Sequence, residues 1–246
     1  MDTAKPKEQA NKSDWQEKQK FLDDMVEKGK VAAGLFLQYT QEEVDNITRE
    51  LVLAGIAHAY ELADLAVQET QMGVREDKVL KNMVATEFVW NHIKDMKTVG
   101  VINEYPKQNL IEVAEPHGLI FGLTPVTNPT STIIFKSITA IKTRNTIIFS
   151  PHTRAAKCSQ RAAEIMAKAA ERAGAPKDVI QCIPEAGRDD TEYMFRHPRV
   201  ALIDATGGTN MVKAAYSAGK PALGVGAGNT PVYIEKSGDI EMAVVD

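Results

Sequence analysis

The chain has 246 residues, 43% of them hydrophobic, and a net charge of −4, which is enough apolar material for one large or two modest domains. Charges of both signs are scattered, so there is no basic stripe of the kind nucleic-acid binding requires, and no apolar run of roughly eighteen residues that would cross a membrane. Two cysteines, Cys158 and Cys182, make neither a disulfide framework nor a metal-ligand spacing, so a reducing cytoplasm is the expected location.

Met1 to Lys20 is polar and lacks the apolar centre of a signal peptide. Residues 1–12 read as a frayed tail, after which Ser13-Asp14 is expected to cap a helix carrying Trp15, Phe21, Leu22, Met25, Val26, Leu35 and Phe36 toward one side. Thr40-Gln41-Glu42-Glu43 is a capping box ahead of Val44, Ile47, Leu51, Ala54 and His58, whose spacing of three and four marks a second amphipathic helix. Helix continues to about residue 95, with Gly73 breaking the pattern in a turn at 72–77. His58 and His92 read as packed or surface residues of these helices, not ligands.

From Thr98 to Ala114 the apolar period changes toward two around a polar bend at Asn103 to Asn109, which predicts a hairpin. Three units then follow the same scheme of apolar strand, polar turn and helix. Leu119-Ile120-Phe121 runs into Gly122 to Ser131, Thr146 to Phe149 into Ser150-Pro151-His152-Thr153-Arg154, and Val200 to Ile203 into Thr206-Gly207-Gly208-Thr209. Between the second and third lie an alanine-rich helix, Ala155 to Ala173, closed by Gly174-Ala175-Pro176, and a strand at Val179 to Ile183. Such a series predicts a parallel sheet with crossover helices. Each turn alone is an ordinary capped loop; together, at the carboxyl ends of parallel strands, they are expected to form one nucleotide cleft. Orphan N–H groups and a helix dipole at each junction suit a phosphate or a developing oxyanion.

Three stretches carry a resemblance: Gly122-Leu123-Thr124-Pro125-Val126-Thr127-Asn128-Pro129-Thr130-Ser131-Thr132, Lys142 to His152, and Lys213 to Pro231 with its Gly224-Val225-Gly226-Ala227-Gly228 run. They resemble the CoA-acylating aldehyde dehydrogenases, most closely the N-terminal half of the bifunctional aldehyde-alcohol dehydrogenases of fermentative microbes. The likeness runs from about residue 13 to the end. It implies an α/β fold, an aldehyde-dehydrogenase-like Rossmann-type parallel sheet preceded by a helical N-terminal region. The implied divisions are a flexible tail at 1–12, helices at 13–97, a hairpin linker at 98–116 and a dinucleotide-binding domain at 117–246.

The function so implied is oxidation of acetaldehyde with NAD and CoA to acetyl-CoA and NADH, or its reversal in fermentation. The partners are a small-molecule aldehyde and CoA, in a homo-oligomer, with neither nucleic acid nor membrane. Asn128 falls where the family places an amide that holds the oxyanion, a contribution on the order of 3 kcal/mol to the transition state; the plainer role for it is a cap for the helix opening at Pro129. Leu123, Thr124, Pro125, Val126 and Thr127 would line the nicotinamide side, with Ser150 and Pro151 on the second turn. Thr206, Gly207, Gly208 and Gly226 would let backbone approach the cofactor. No G-x-G-x-x-G fingerprint is present.

Three departures from hydrolytic relatives matter. Serine replaces a lysine at Ser150 and no acid follows until Glu164, so NAD over NADP is implied by the family alone. Val225 stands where those relatives keep a glutamate base, which favours a thiol acceptor over water. The family's nucleophilic cysteine lies downstream of the glycine-rich turn, whereas the chain stops at Asp246 in a helix-like segment without a C-cap. Cys158, in a helix, and Cys182, in a strand, read as small apolar residues. The expectation is a fragment, catalytically silent alone; the alternative is a naturally short, non-catalytic binding or assembly module.

Overall fold

The computed structural model describes residues 5–226, 228 and 231–245, with backbone alone at 5–13, 244 and 245. Met1 to Ala4 of the expected tail, Ala227, Asn229 and Thr230 of the glycine-rich motif and the terminal Asp246 lie outside the described residues.

Helix α1 (Lys5–Phe36) begins ahead of Ser13-Asp14, so residues 5–12 belong to it and are not a separate tail. The good helix formers Lys, Glu, Gln and Ala in that stretch outweigh the start signal at Ser13. Leu22, Met25, Val26 and Phe36 are buried, but Phe21 and Leu35 are exposed. The buried stripe is therefore narrower than expected: residues 22, 25 and 26 fill one face, and 21 and 35 fall beside it.

The Thr40/Glu43 capping box opens α2 (Gln41–Ala57). His58 marks the break before α3 (Ala59–Thr70), its Nδ1 2.7 Å from Glu61 Oε2. A turn whose Gly73 has φ of 77°, the left-handed region that glycine enters freely, leads into α4 (Arg75–Met83). A π-helical stretch, Val84–Phe88, connects to α5 (Val89–Ile93). Strands β1 (Gly100–Tyr105) and β2 (Leu110–Ala114) pair as an antiparallel hairpin that leaves Val101, Leu110, Ile111 and Val113 exposed.

The rest alternates strand and helix: β3 (Leu119–Thr124), α6 (Pro129–Lys142), β4 (Thr146–Pro151), α7 (Ala156–Arg172), β5 (Ile180–Cys182), α8 (Arg188–Arg196), β6 (Leu202–Thr206), α9 (Thr209–Tyr216), β7 (Ala222–Val225) and, after a loop, α10 (Ile240–Val245). Among the described residues the five strands from β3 to β7 form one parallel sheet in the order β5-β4-β3-β6-β7. Every residue of β3 and β4 is buried, as central strands covered on both faces require.

Alternation along the strands divides the core. Ile120, Ile147 and Phe149 pack with α2, α6 and α7, whereas Leu119, Phe121, Leu123 and Ile148 pack with α1, α8 and α9. The N-terminal helices thus share their cores with the sheet. Gly122 sits where a Cβ would lie 3.0 Å from Ile147 Cδ1 and 3.1 Å from Phe149 Cδ1, so a larger residue there would press on the β4 side chains. Ile133, Ile134, Ile138 and Ile141 of α6 are fully buried, each contributing about 2 kcal/mol by area. They fix α6, and with it the turn that precedes it. The strand order reverses between β3 and β6, the switch point at which open α/β sheets bind ligands.

Candidate functional site

At the switch point the chain leaves β3 at Thr124 and enters α6 through Asn128 and Pro129, a proline at the first helical position. The Asn128 side chain makes no capping hydrogen bond to the helix, so the cap role expected as its plainer function is not what it performs. Helix α9 likewise starts after Gly208 without a side-chain cap. Two helix N-termini with uncapped amides therefore face the same region. On the remaining turn His152 Nδ1 accepts from the Arg154 amide at 3.1 Å.

The three turns line one cavity of about 800 Å³, within the range of cofactor pockets. Leu123 through Asn128, Ser150, Pro151, Thr206, Gly207, Gly208 and Gly226 all lie on its wall, so the structure brings together every residue singled out from the sequence. Val225 is there too, at the end of β7. At its floor Leu123, Thr124 and Ser150 are buried. Ser150 Oγ lies 3.3 Å from Thr191 Oγ1, while Thr124 Oγ1 has no hydrogen-bond partner among the described residues. A buried hydroxyl left unpaired at a cavity floor suits a polar ligand group.

Gly208 has ordinary extended backbone, φ −66° and ψ 159°, and a Cβ there or at Gly226 would meet nothing within 4 Å among the described residues. The space such a Cβ would take is the cavity itself, which fits a ligand lying against backbone. No carboxylate stands among the described lining residues, and Arg188 is the full cation on the wall. Nothing acidic there would read a ribose 2′-hydroxyl.

Beneath the floor lies a group the sequence reading passed over. Lys136 on α6 is 2% exposed, and its Nζ donates to the carbonyl oxygens of Leu123 at 2.9 Å and Asp204 at 2.7 Å and pairs with Asp204 Oδ1 at 3.0 Å. It joins the ends of β3 and β6 where they diverge. Burial holds its pKa below the ordinary lysine value, against the opposing pull of Asp204.

The part that helix α4 plays at this turn was also missed. Lys78 Nζ donates to the Thr127 carbonyl at 3.0 Å, Lys81 Nζ to Asn128 Oδ1 at 2.7 Å, and Thr130 Oγ1 to Asn82 Oδ1 at 3.1 Å. Positions 78, 81 and 82 are spaced three and four apart, which puts them on one face; a polar face on a helix inside a helical front was the available signal. Lys78 is buried, and desolvation, with Lys81 nearby, lowers its pKa.

Both thiols are held in the protonated form. Cys158 is buried on α7 and its pKa is pushed up to about 12, first by burial and then by Glu69. Cys182, on β5, is raised to about 12 by burial and by Glu164. Neither forms thiolate near neutral pH. Among the described residues no helix is long and apolar enough to cross a membrane.

The aldehyde dehydrogenase family model matches residues 1–246. The chain belongs to the aldehyde dehydrogenase family. It is 51% identical over 223 residues to the bifunctional aldehyde-alcohol dehydrogenase of Escherichia coli (strain K12), an alignment covering 91% of this chain and 25% of that protein. It resembles the crystal structure of an acetylating aldehyde dehydrogenase from Geobacillus thermoglucosidasius with a TM-score of 0.85 and 48% identity, over 92% of this chain and 50% of that one. A propionaldehyde dehydrogenase from Rhodopseudomonas palustris, solved with bound CoA and an acylated cysteine, matches with a TM-score of 0.77 and 31% identity over 90% of this chain and 50% of that one. The chain therefore spans about a quarter of the bifunctional relative and half of the solved aldehyde dehydrogenases. Its parallel sheet and flanking helices are the fold of this acylating branch of the family.

Proposed function

We propose that the chain is the cofactor-binding part of an NAD-dependent, CoA-acylating acetaldehyde dehydrogenase that interconverts acetaldehyde and acetyl-CoA in fermentative carbon metabolism. The observation that carries this is the convergence of the three strand-to-helix turns, two of them opening helices without side-chain caps, on one cavity free of carboxylates among its described lining residues. A dinucleotide fits it: amides at Gly208 and the start of α9 would hold the pyrophosphate, and Leu123 to Thr127 would lie along the nicotinamide. When bound, NAD supplies the hydride acceptor.

In this reading Asn128 donates its amide to the oxyanion that forms when a thiol adds to the aldehyde. The thiol comes from outside this chain, since Cys158 and Cys182 are buried or half-buried and protonated. Val225, an aliphatic side chain on the cavity wall, offers no proton acceptor to a water molecule, so the acyl group passes to CoA. We extend the proposal to a homo-oligomer joined at the β1–β2 hairpin, supported by its exposed Val101, Leu110, Ile111 and Val113, and to a reducing cytoplasm, supported by two free thiols. NAD as against NADP rests on the family resemblance.

The test is product analysis. The full-length enzyme, given acetaldehyde and NAD, is expected to yield acetyl-CoA when CoA is present and almost no acetate when it is absent. Acetate released without CoA as fast as acetyl-CoA is formed with it contradicts the acylating assignment and the role of Val225.

A further inference from the structure

Helix α4 grips the turn that carries Asn128 at three successive points: Lys78 at the Thr127 carbonyl, Lys81 at Asn128 Oδ1 and Asn82 at Thr130 Oγ1. Asn82 is itself anchored, since its Nδ2 donates to the Ala59 carbonyl at 2.9 Å. The chemistry of the middle contact fixes an orientation. A lysine ammonium has donors and no acceptor, so the Asn128 atom 2.7 Å from Lys81 Nζ must be the carbonyl oxygen of the amide. Nδ2 is then turned the other way, and its partner among the described residues is Thr127 Oγ1 at a marginal 3.4 Å. The amide N–H is thus kept for a stronger acceptor, and a cation on the amide oxygen polarises the group and makes that N–H a better donor.

We propose that Lys81 is a positioning residue: by holding the Asn128 amide oxygen it aims Nδ2 into the cavity as a hydrogen-bond donor, while Lys78 and Asn82 brace the backbone on either side. The proposal rests on the reading of Asn128 as oxyanion donor. Its substrate consequence is that Lys81 touches neither aldehyde nor cofactor and acts on turnover only through Asn128.

Two measurements test it separately from that reading. In this chain, ¹⁵N relaxation of the Asn128 side-chain amide is expected to report an ordered group, which becomes mobile in Lys81→Met and is restored in Lys81→Arg. Lys81 is exposed, so its replacement empties no core; Lys81→Gln serves in the same comparison should the methionine variant fold poorly. An Asn128 amide equally ordered without Lys81 overturns the proposal. In the full-length enzyme, Lys81→Met is expected to lower kcat roughly tenfold, the scale for a group that orients an active one, with KM for NAD unchanged. Combined with Asn128→Ala it should add nothing further. Independent, additive losses overturn the proposal. Should Asn128→Ala alone leave kcat intact, the oxyanion reading fails, and the relaxation result still decides whether Lys81 orients the amide.

Discussion

Asn128 has the most closely defined role in the proposed chemistry. Its side chain lies on the cavity wall, leaves α6 uncapped and has its oxygen engaged by Lys81. Removing one oxyanion donor costs roughly a hundred- to thousandfold in rate. In the full-length enzyme Asn128→Ala is therefore expected to lose turnover on that scale while NAD affinity, measured by titration, stays within about twofold. Loss of NAD affinity with turnover retained would make Asn128 a cofactor contact instead. At this scale the lining residues were legible because the Gly122 to Thr132 stretch is a contiguous motif. Lys81 and Lys136 were not, because each acts across the fold, 47 and 13 residues from its acceptors at Asn128 and Leu123, and a lysine in a helix reads as solvated surface until its neighbours are known.

At the scale of elements, α6 ties the two halves of the sheet together through Lys136. Replacing it by methionine would leave the Leu123 and Asp204 carbonyls without this donor and the Asp204 carboxylate without its cation, a loss of about 3 kcal/mol. The pH dependence has a definite sign. Lys136 titrates below 10.5 when folded and at about 10.5 when unfolded, so the unfolded chain binds more protons in the window beneath 10.5 and native stability rises with pH there. The cost of burying the charge is complete below the folded pKa and fades as pH approaches 10.5. The stability gap between wild type and Lys136→Met, from denaturant melts, should widen from neutral pH toward 10.5; a gap that stays flat or narrows contradicts the burial-dominated shift.

Strands β3, β4 and β6 were legible as apolar runs, because strands buried on both faces tolerate little else. The start of α1 was not, since cap signals compete with propensity and lose where the flanking residues are good helix formers. Strand β7 was hidden by Gly224, whose missing side chain makes room for Val212 and Tyr216 of α9, 2.6 and 2.7 Å from where its Cβ would lie. A glycine chosen for packing resembles a glycine chosen for a loop when only the sequence is read.

For the molecule as a whole, the N-terminal helices and the sheet share their cores, so the cavity at the switch point is held from both faces of the sheet and from α4. That is the condition for a preformed site: no helix has to dock before the turns converge. If this cavity is a dinucleotide site in the chain as it stands, calorimetric titration of the folded chain with NAD will register binding. The expected result is a saturable, one-to-one heat that is lost when Gly208→Val fills the space against which the pyrophosphate would lie. A folded chain that gives no saturable heat at millimolar NAD would contradict it.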